Sequence, residues 1–366
     1  MDYQTAKKVH SSKDYREFNQ DPTFLFVNQF MKKGKDFDTN LQKQFLQVIG
    51  CIITKKKVDE QSQEVYDWVE NNNLLDTIID FVHSNRDKAI WYSDETEVQR
   101  HIQELNSLPL FLQSFNPTNS INRDIFDKIQ NVDSTTKLNE VIKDVAKIST
   151  DTVYKMYFDT QTTRIIEDIF NRHNNVTPTL IDEKGVDFFI NKIPLDLKIT
   201  CFPKEYLKSQ RKELKLGNEL TKLKSIARKY NITFDKTLKE DMLKYQITSQ
   251  IKDINNQEAL QQFQKLQEEN LSIINSTKTN KQKLIKWLYE EQGAMRFCAE
   301  NRLFLILYDS KQPEMSDKMR ITHYQQIKEA VNDYLNAFKE ENLQDIEFVF
   351  EKKTYIAKSD IIFVVI

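Results

Sequence analysis

The chain has 366 residues, 39% of them hydrophobic and 11% aromatic, a composition that allows a large buried core and excludes global disorder. Its 53 basic and 55 acidic residues give a net charge of −2, which excludes a globally basic nucleic-acid-binding protein but not a local basic surface. The five glycines stand at none of the spacings of a P-loop, a dinucleotide fingerprint or a nucleophile elbow, so the sequence lacks the main signatures of ATPases, Rossmann dehydrogenases and α/β-hydrolases.

Residues 1–150 are predicted to form a mainly helical accessory domain. Apolar residues such as Leu41 and Phe45 recur at helical spacing through several segments of this region. Asp94, followed three residues later by Glu97, has the spacing of a helix N-terminal cap and its acidic partner. The region contains no combination of residues with an evident chemical role.

Residues 151–366 are predicted to form an α/β (α+β) domain with a mixed β-sheet flanked by helices. The predicted elements, in chain order, are a helix at 162–172, strands at 179–181, 186–190, 195–200 and 303–308, a helix at 322–338, and strands at 346–350 and 361–366. Residues 204–286 are predicted to form a helical insertion before the fourth strand. This insertion has 18 basic and 10 acidic residues and a local net charge of +8.

Two aspartates lie on the two strands of a predicted β-hairpin. A two-residue turn at Asn191-Lys192 gives a register in which Asp187 lies opposite Asp196. Directly opposed residues have Cβ atoms about 4.5–5.5 Å apart. Because side chains alternate along a strand, Lys198 lies on the same face as Asp196.

This pair of aspartates predicts a metal site. Like charges at such a distance repel, and burial raises the pKa of at least one carboxyl group. A divalent cation removes the conflict, because carboxylate oxygens at this spacing share one Mg²⁺. A lysine on the same face orients or deprotonates a water and stabilises developing negative charge on a phosphate. The group is what metal-assisted phosphodiester hydrolysis requires.

Asp187, followed by Asp196-Leu197-Lys198 after a short hairpin, resembles the core motif of the PD-(D/E)XK nuclease superfamily, which has the restriction-endonuclease-like fold. The resemblance implies that Asp187 and Asp196 bind Mg²⁺ with help from the Leu197 carbonyl, that Mn²⁺ substitutes, and that Lys198 acts on the attacking water. Val186 stands where the superfamily's name-giving proline would be. The resemblance covers residues 160–200 and, more weakly, the terminal α/β elements, and it does not extend to the N-terminal region.

The helix before the hairpin resembles the acidic helix that precedes the motif in this superfamily. The resemblance implies that Glu167 is an accessory metal ligand or a base. Helical geometry places Glu167 and Asp168 on opposite flanks of the apolar face and does not choose between them. An exposed helix acid without a catalytic role is the alternative.

The tripeptide [D/E]-x-K by itself has little specificity, since it occurs at four other places, one of them Asp309-Ser310-Lys311. Only Asp196 combines it with an apolar alternating strand, a second aspartate one strand earlier and an acidic helix before that. The alternative is an ordinary hairpin with a solvated charged face, which is disfavoured because aspartate is unfavourable within strands.

Phosphate contacts of a nucleic acid are expected from the basic insertion, because such contacts supply the sequence-independent part of affinity. The candidate contact residues are Lys208, Arg211, Lys212 and Lys215 of the insertion, together with Gln292 and Arg296, which share a face of the helix before the fourth strand. The alternatives are a solvated pair of helices for the insertion, and a surface or capping role for Gln292 and Arg296.

The expected function is a Mg²⁺-dependent endonuclease that hydrolyses DNA, with double-stranded DNA as partner and bacterial restriction or phage defence as its setting. A structure-specific, repair or RNA nuclease with the same site is one alternative, and a non-catalytic nucleic-acid-binding protein on a nuclease-like scaffold is another. The protein could act as a homodimer or with a partner subunit under any of these functions. Three cysteines without a C-x-x-C pair, and no apolar run near the roughly 20 residues of a membrane span, lead us to expect a cytoplasmic protein without a membrane partner.

Overall fold

The computed structural model describes residues 1–11, 21–32, 37–108, 135–183, 185–254, 256–291, 300–350 and 352–366. The described chain is an α+β structure in which a six-stranded mixed sheet is flanked by helices. The strands are β1 (Val176–Glu183), β2 (Val186–Ile190), β3 (Ile193–Cys201), β4 (Arg302–Tyr308), β5 (Gln344–Phe350) and β6 (Lys353–Val365).

The sheet order is β1-β2-β3-β4-β6-β5. Strands β1, β2 and β3 form an antiparallel meander, and β3, β4 and β6 are mutually parallel neighbours. Strand β5 closes the sheet antiparallel to β6. The step from β3 to its parallel neighbour β4 requires a long crossover, which the helices between the two strands provide.

The helices before the sheet are α1 (Tyr3–Ser11), α2 (Pro22–Met31), α3 (Thr39–Val48), α4 (Val58–Asn71), α5 (Leu75–Ser84), α6 (Glu95–Asn106) and α7 (Thr135–Arg172). Asp94 caps α6 by accepting the Glu97 main-chain N–H at 2.9 Å, as the sequence predicts. Helix α7 passes without interruption through residue 150, where the sequence analysis places a domain boundary.

The later helices are α8 (Lys204–Glu213), α9 (Glu219–Lys229), α10 (Glu240–Asp253), α11 (Gln257–Thr279), α12 (Lys281–Glu291), α13 (Met319–Thr322) and α14 (Tyr324–Asn336). Helices α8 to α12 occupy the predicted insertion. They divide into two groups, because α9, α10 and the first half of α11 surround a small apolar core of their own, whereas α8 and α12 pack on the sheet.

The sheet is covered on both faces, as the sequence predicts. On one face Leu195, Leu197 and Leu303 pack against α6, α7 and α14, and on the other Phe304 and Ile306 pack against α8 and α12. The alternation along β3 and β4 therefore separates two apolar layers. Since α6 and α7 belong to the first layer, the accessory region that has its own core comprises α1 to α5.

Helices α1 to α5 are joined to the sheet through β1 and β2. Their core includes Val186 and Phe189 of β2, and Phe26 of α2 stacks on Phe189 with ring centroids 4.3 Å apart. The accessory helices therefore support the strand that carries Asp187. None of the described helices is both long and apolar enough to cross a membrane.

Candidate metal and nuclease site

The hairpin between β2 and β3 brings two aspartates to the same level of the sheet. Its turn residues have φ values of 49° and 67°, the left-handed pair that a two-residue hairpin loop needs. Ile190 pairs with Ile193 in the predicted register, which is confirmed. One step beyond the last paired residues, this register places Asp187 opposite Asp196.

The side chain of Asp187 forms a hydrogen bond that joins β2 to β3. Its Oδ2 atom accepts the main-chain N–H of Leu197 at 2.6 Å. The main-chain N–H of Asp196 donates instead to Asn301 at the start of β4, at 2.9 Å. The main-chain groups of successive β3 residues thus point to different neighbouring strands, those of Asp196 to β4 and those of Leu197 to β2. Because the N–H and C=O of one strand residue point to the same edge, the Leu197 carbonyl also faces β2, on the side of Asp187.

The two carboxyl groups are held in a strongly desolvated place. Burial and the charge of Asp196 raise the pKa of Asp187 to about 6. Asp196 is 7% exposed, and burial raises its pKa even though the charge of Lys198 opposes the shift. Both carboxyl groups are therefore poised to accept a cation or a proton.

Two cations flank Asp196. The Nζ atom of Lys198 lies 2.7 Å from each carboxylate oxygen, and the lysine side chain is 46% exposed, so it also reaches solvent. Arg302 pairs with Asp196 in the register of β3 and β4, and its Nε atom lies 3.5 Å from Oδ2. Oδ2 of Asp196 is nevertheless a buried atom that receives no hydrogen bond of good geometry from the described residues.

Glu300 and Arg302 also belong to the site, although no sequence pattern indicates them. Glu300 accepts from Arg302 at 3.2 Å, and its negative charge contributes to the raised pKa of both aspartates. Gly185 has φ of 75°, and a Cβ atom there would lie 2.7 Å from Glu300 Oε1, so this glycine makes room for the carboxylate. No local sequence signal indicates these contacts, because they depend on which strand pairs with β3.

The structure distinguishes the two adjacent acids of α7. Asp168 accepts the main-chain N–H groups of Trp91 and Tyr92 at 2.8 and 3.0 Å, so its carboxylate holds that segment. Burial and the charge of Asp187 raise the pKa of Glu167 to about 7. Glu167 is thus the acid of this helix whose charge interacts with the hairpin, and Asp168 has a structural role.

Arg211 does not have the surface position that a phosphate contact requires. The side chain is fully buried, and its guanidinium donates to Glu269 at 2.8 Å and to Asn270 at 2.6 Å. The expectation that Arg211 binds nucleic acid is therefore wrong, because its charge is used to join α8 to α11. Net charge along a sequence does not show such tertiary pairing.

The remaining basic candidates differ in their surroundings. Lys208 is paired with Glu205 at 2.8 Å and with Glu240 at 3.2 Å. Lys212 and Lys215 are exposed and stay candidates for phosphate contacts. Gln292 and Arg296 lie outside the described residues.

Among the residues described, no group of three or more His, Cys, Asp or Glu side chains is arranged to hold a metal ion. The two opposed aspartates and a main-chain carbonyl form a smaller set of oxygen donors. Comparison of the chain with protein-family models, curated proteins and solved structures gives no significant match.

Proposed function

We propose that this protein is a Mg²⁺-dependent endonuclease that hydrolyses phosphodiester bonds of DNA. The observation that carries the proposal is the pair of opposed carboxyl groups of the partly buried Asp187 and the buried Asp196, with the half-exposed Lys198 ammonium against one of them. Buried like charges are costly unless a cation binds them. An arrangement that retains this cost has a function to perform.

The donor set fits Mg²⁺. This ion binds through one or two carboxylates and keeps several waters, so it does not need three protein side chains. Asp187, the buried Oδ2 of Asp196 and the Leu197 carbonyl would hold it. When bound, Mg²⁺ would lower the pKa of a coordinated water and neutralise negative charge on a phosphate oxygen. Mn²⁺ has similar ligand preferences and is expected to substitute.

The protein groups around the aspartates have complementary roles. Lys198 extends from a buried carboxylate toward solvent, where its ammonium group orients the attacking water and stabilises negative charge on the phosphate. Glu167, with a pKa of about 7, exchanges a proton near neutral pH and is the accessory base. Arg302 remains buried and balances the negative charge of Asp196 and Glu300.

The fold supports the same assignment. The mixed sheet flanked by helices, with an acidic helix preceding the hairpin, agrees with a restriction-endonuclease-like domain of the PD-(D/E)XK superfamily. A restriction or phage-defence nuclease is the setting that this resemblance suggests. The same site also serves a structure-specific, repair or RNA nuclease, and a second copy or a partner subunit would allow a cut in both strands.

A cleavage assay tests the proposal. Supercoiled and linear DNA, single strands and RNA are incubated with the protein in Mg²⁺ or EDTA, beside Asp196→Ala, Lys198→Ala and the matched control Lys311→Ala. Lys311 belongs to another Asp-x-Lys tripeptide and its side chain is exposed. We expect Mg²⁺-dependent cleavage that only the first two substitutions abolish while all variants remain folded.

Two results would contradict the proposal. Equal cleavage by all four proteins would mean that the site lies elsewhere. A wild-type protein that cuts none of these substrates and shows no heat of Mg²⁺ or Mn²⁺ binding by calorimetry would instead identify a non-catalytic scaffold.

A further inference from the structure

Trp91 is a large aromatic side chain presented to solvent on a firmly held segment. It is 54% exposed, although its main-chain N–H is bound by Asp168. The same segment is tied to α7 at two more points, by Asn171 donating to the Ala89 carbonyl at 2.9 Å and by Arg172 donating to the Tyr92 carbonyl. The main chain that carries the indole is therefore held in place against α7.

Arg164 covers one side of this indole. Its guanidinium carbon lies 4.0 Å from the centroid of the Trp91 ring, a cation–π contact. Trp91 remains 54% exposed with the arginine in place, so the residue keeps accessible surface for a second contact. Arg164 makes no ion pair within 4 Å with another described residue, so its guanidinium is available to an anion.

The two side chains border the candidate active site. The Trp91 main-chain N–H donates at 2.8 Å to Asp168, the residue after Glu167, and Arg164 lies one helical turn before Glu167 and lowers its pKa by its charge. Glu167 in turn interacts with Asp187. A nucleotide bound at Trp91 would therefore lie beside the acids that are proposed to act on the phosphodiester.

We propose that Trp91 and Arg164 form a nucleotide subsite, in which an unpaired base stacks on the accessible surface of the indole while Arg164 contacts the adjoining phosphate. The inference rests on the proposed nuclease function and narrows its substrate class to single-stranded DNA or duplexes with an unpaired base. Bases inside a duplex are covered on both faces by their neighbours, so an intact duplex offers no base to this ring. Stacking on an aromatic side chain is tolerant of sequence because every base has a π face.

Binding without cleavage tests the subsite. In EDTA, fluorescein-labelled DNA is titrated as a short single strand, as the blunt duplex of the same strand, and as that duplex with one unpaired base. The proteins are the wild type, Trp91→Ala, Trp91→Phe and the control Trp68→Phe, which changes a different exposed tryptophan, on α4. Trp91→Ala is expected to weaken single-strand binding about 5- to 150-fold and blunt-duplex binding less than about twofold.

Tryptophan fluorescence provides a readout that does not depend on affinity. The single strand is expected to quench the emission of the wild type and of Trp68→Phe, and to leave Trp91→Phe unquenched at saturation. Trp91→Phe should retain most of the affinity because it keeps an aromatic face.

Equal weakening for the single strand and the blunt duplex, unchanged single-strand binding by Trp91→Ala, or a wild type that binds no single strand overturns the subsite. Cleavage is measured separately with Asp196→Ala. Loss of single-strand binding in Trp91→Ala without any nuclease activity in the wild type would retain the subsite and refute the nuclease. Cleavage lost in Asp196→Ala with no effect of Trp91→Ala on binding would do the reverse.

Discussion

Replacing Glu167 by glutamine is expected to remove a loss of stability that the wild type suffers as pH rises. Burial and the charges of Asp187 and Asp168 raise the pKa of Glu167 from 4.5 to about 7. The folded state therefore holds this proton more tightly than the unfolded state. The contribution to stability is fully present below the unfolded pKa and is lost as pH rises through the folded pKa.

The size of the effect follows from the shift. Each unit of pKa difference corresponds to about 1.4 kcal/mol, so a rise from 4.5 to about 7 gives a total of about 3 kcal/mol. Most of this, about 2 kcal/mol or slightly more, falls between pH 5 and pH 8. Glutamine has the shape of the protonated glutamic acid and does not ionise, so the variant lacks this decline.

Urea unfolding in EDTA at pH 5 and at pH 8 measures the effect. The difference between the unfolding free energies of Glu167→Gln and the wild type should increase by about 2 kcal/mol from the lower to the higher pH. The matched control is Glu140→Gln, an exposed acid on the same helix, for which the difference should stay constant. A constant difference for Glu167→Gln as well would refute the reasoning that this acid is held protonated near neutral pH.

Mg²⁺ should stabilise the wild type at pH 8, by about 2.7 kcal/mol at 100 times its dissociation constant, whereas Asp196→Asn should lose the effect and Asp309→Asn should keep it. Thermal unfolding with and without Mg²⁺ measures this, and an equal shift in Asp196→Asn would place the cation elsewhere. Arg211→Met should cost about 3 kcal/mol because it leaves Glu269 and Asn270 without their buried partner, while Lys212→Ala should change stability by less than about 0.5 kcal/mol. An Arg211→Met variant of unchanged stability that binds DNA more weakly would restore the surface role for Arg211.

The hairpin could be predicted from sequence because its signals are local. Side-chain alternation with period two identifies the strands, and the polar pair Asn191-Lys192 between two apolar runs fixes the loop length and with it the register. The position of Asp187 opposite Asp196 follows from that register alone. Asp94 with Glu97 is a similarly local signal, and it correctly marks the start of α6.

The remaining members of the site could not be predicted because they reach it through tertiary pairing. Arg302 lies beside Asp196 only because β4 pairs with β3 after the long helical crossover. The sequence within a few residues of Asp196 or Arg302 does not indicate that β3 and β4 pair. The choice between Glu167 and Asp168 has the same origin, since Asp168 is occupied by the main chain of Trp91 and Tyr92 from a distant segment.

The packing of α6 and α7 and the burial of Arg211 could not be predicted for a related reason. A periodic pattern identifies a helix but not the surface on which it packs, and α6 and α7 join the sheet instead of the core of α1 to α5. Charge counting has the same weakness. The excess of basic residues in 204–286 is real, but acids from neighbouring helices bind Arg211 and Lys208.

At this site the burial of acidic side chains opposes the stability of the fold. Its hairpin is otherwise apolar, and Asp187, Asp196 and Glu167 all have raised pKa values because burial opposes their charges. Natural sequences avoid such conflicts except where function requires them. Lys198 and Arg302 lie against Asp196, and Asp187 accepts a main-chain N–H, so the cation that we propose would relieve the charge conflict that remains between the two aspartates.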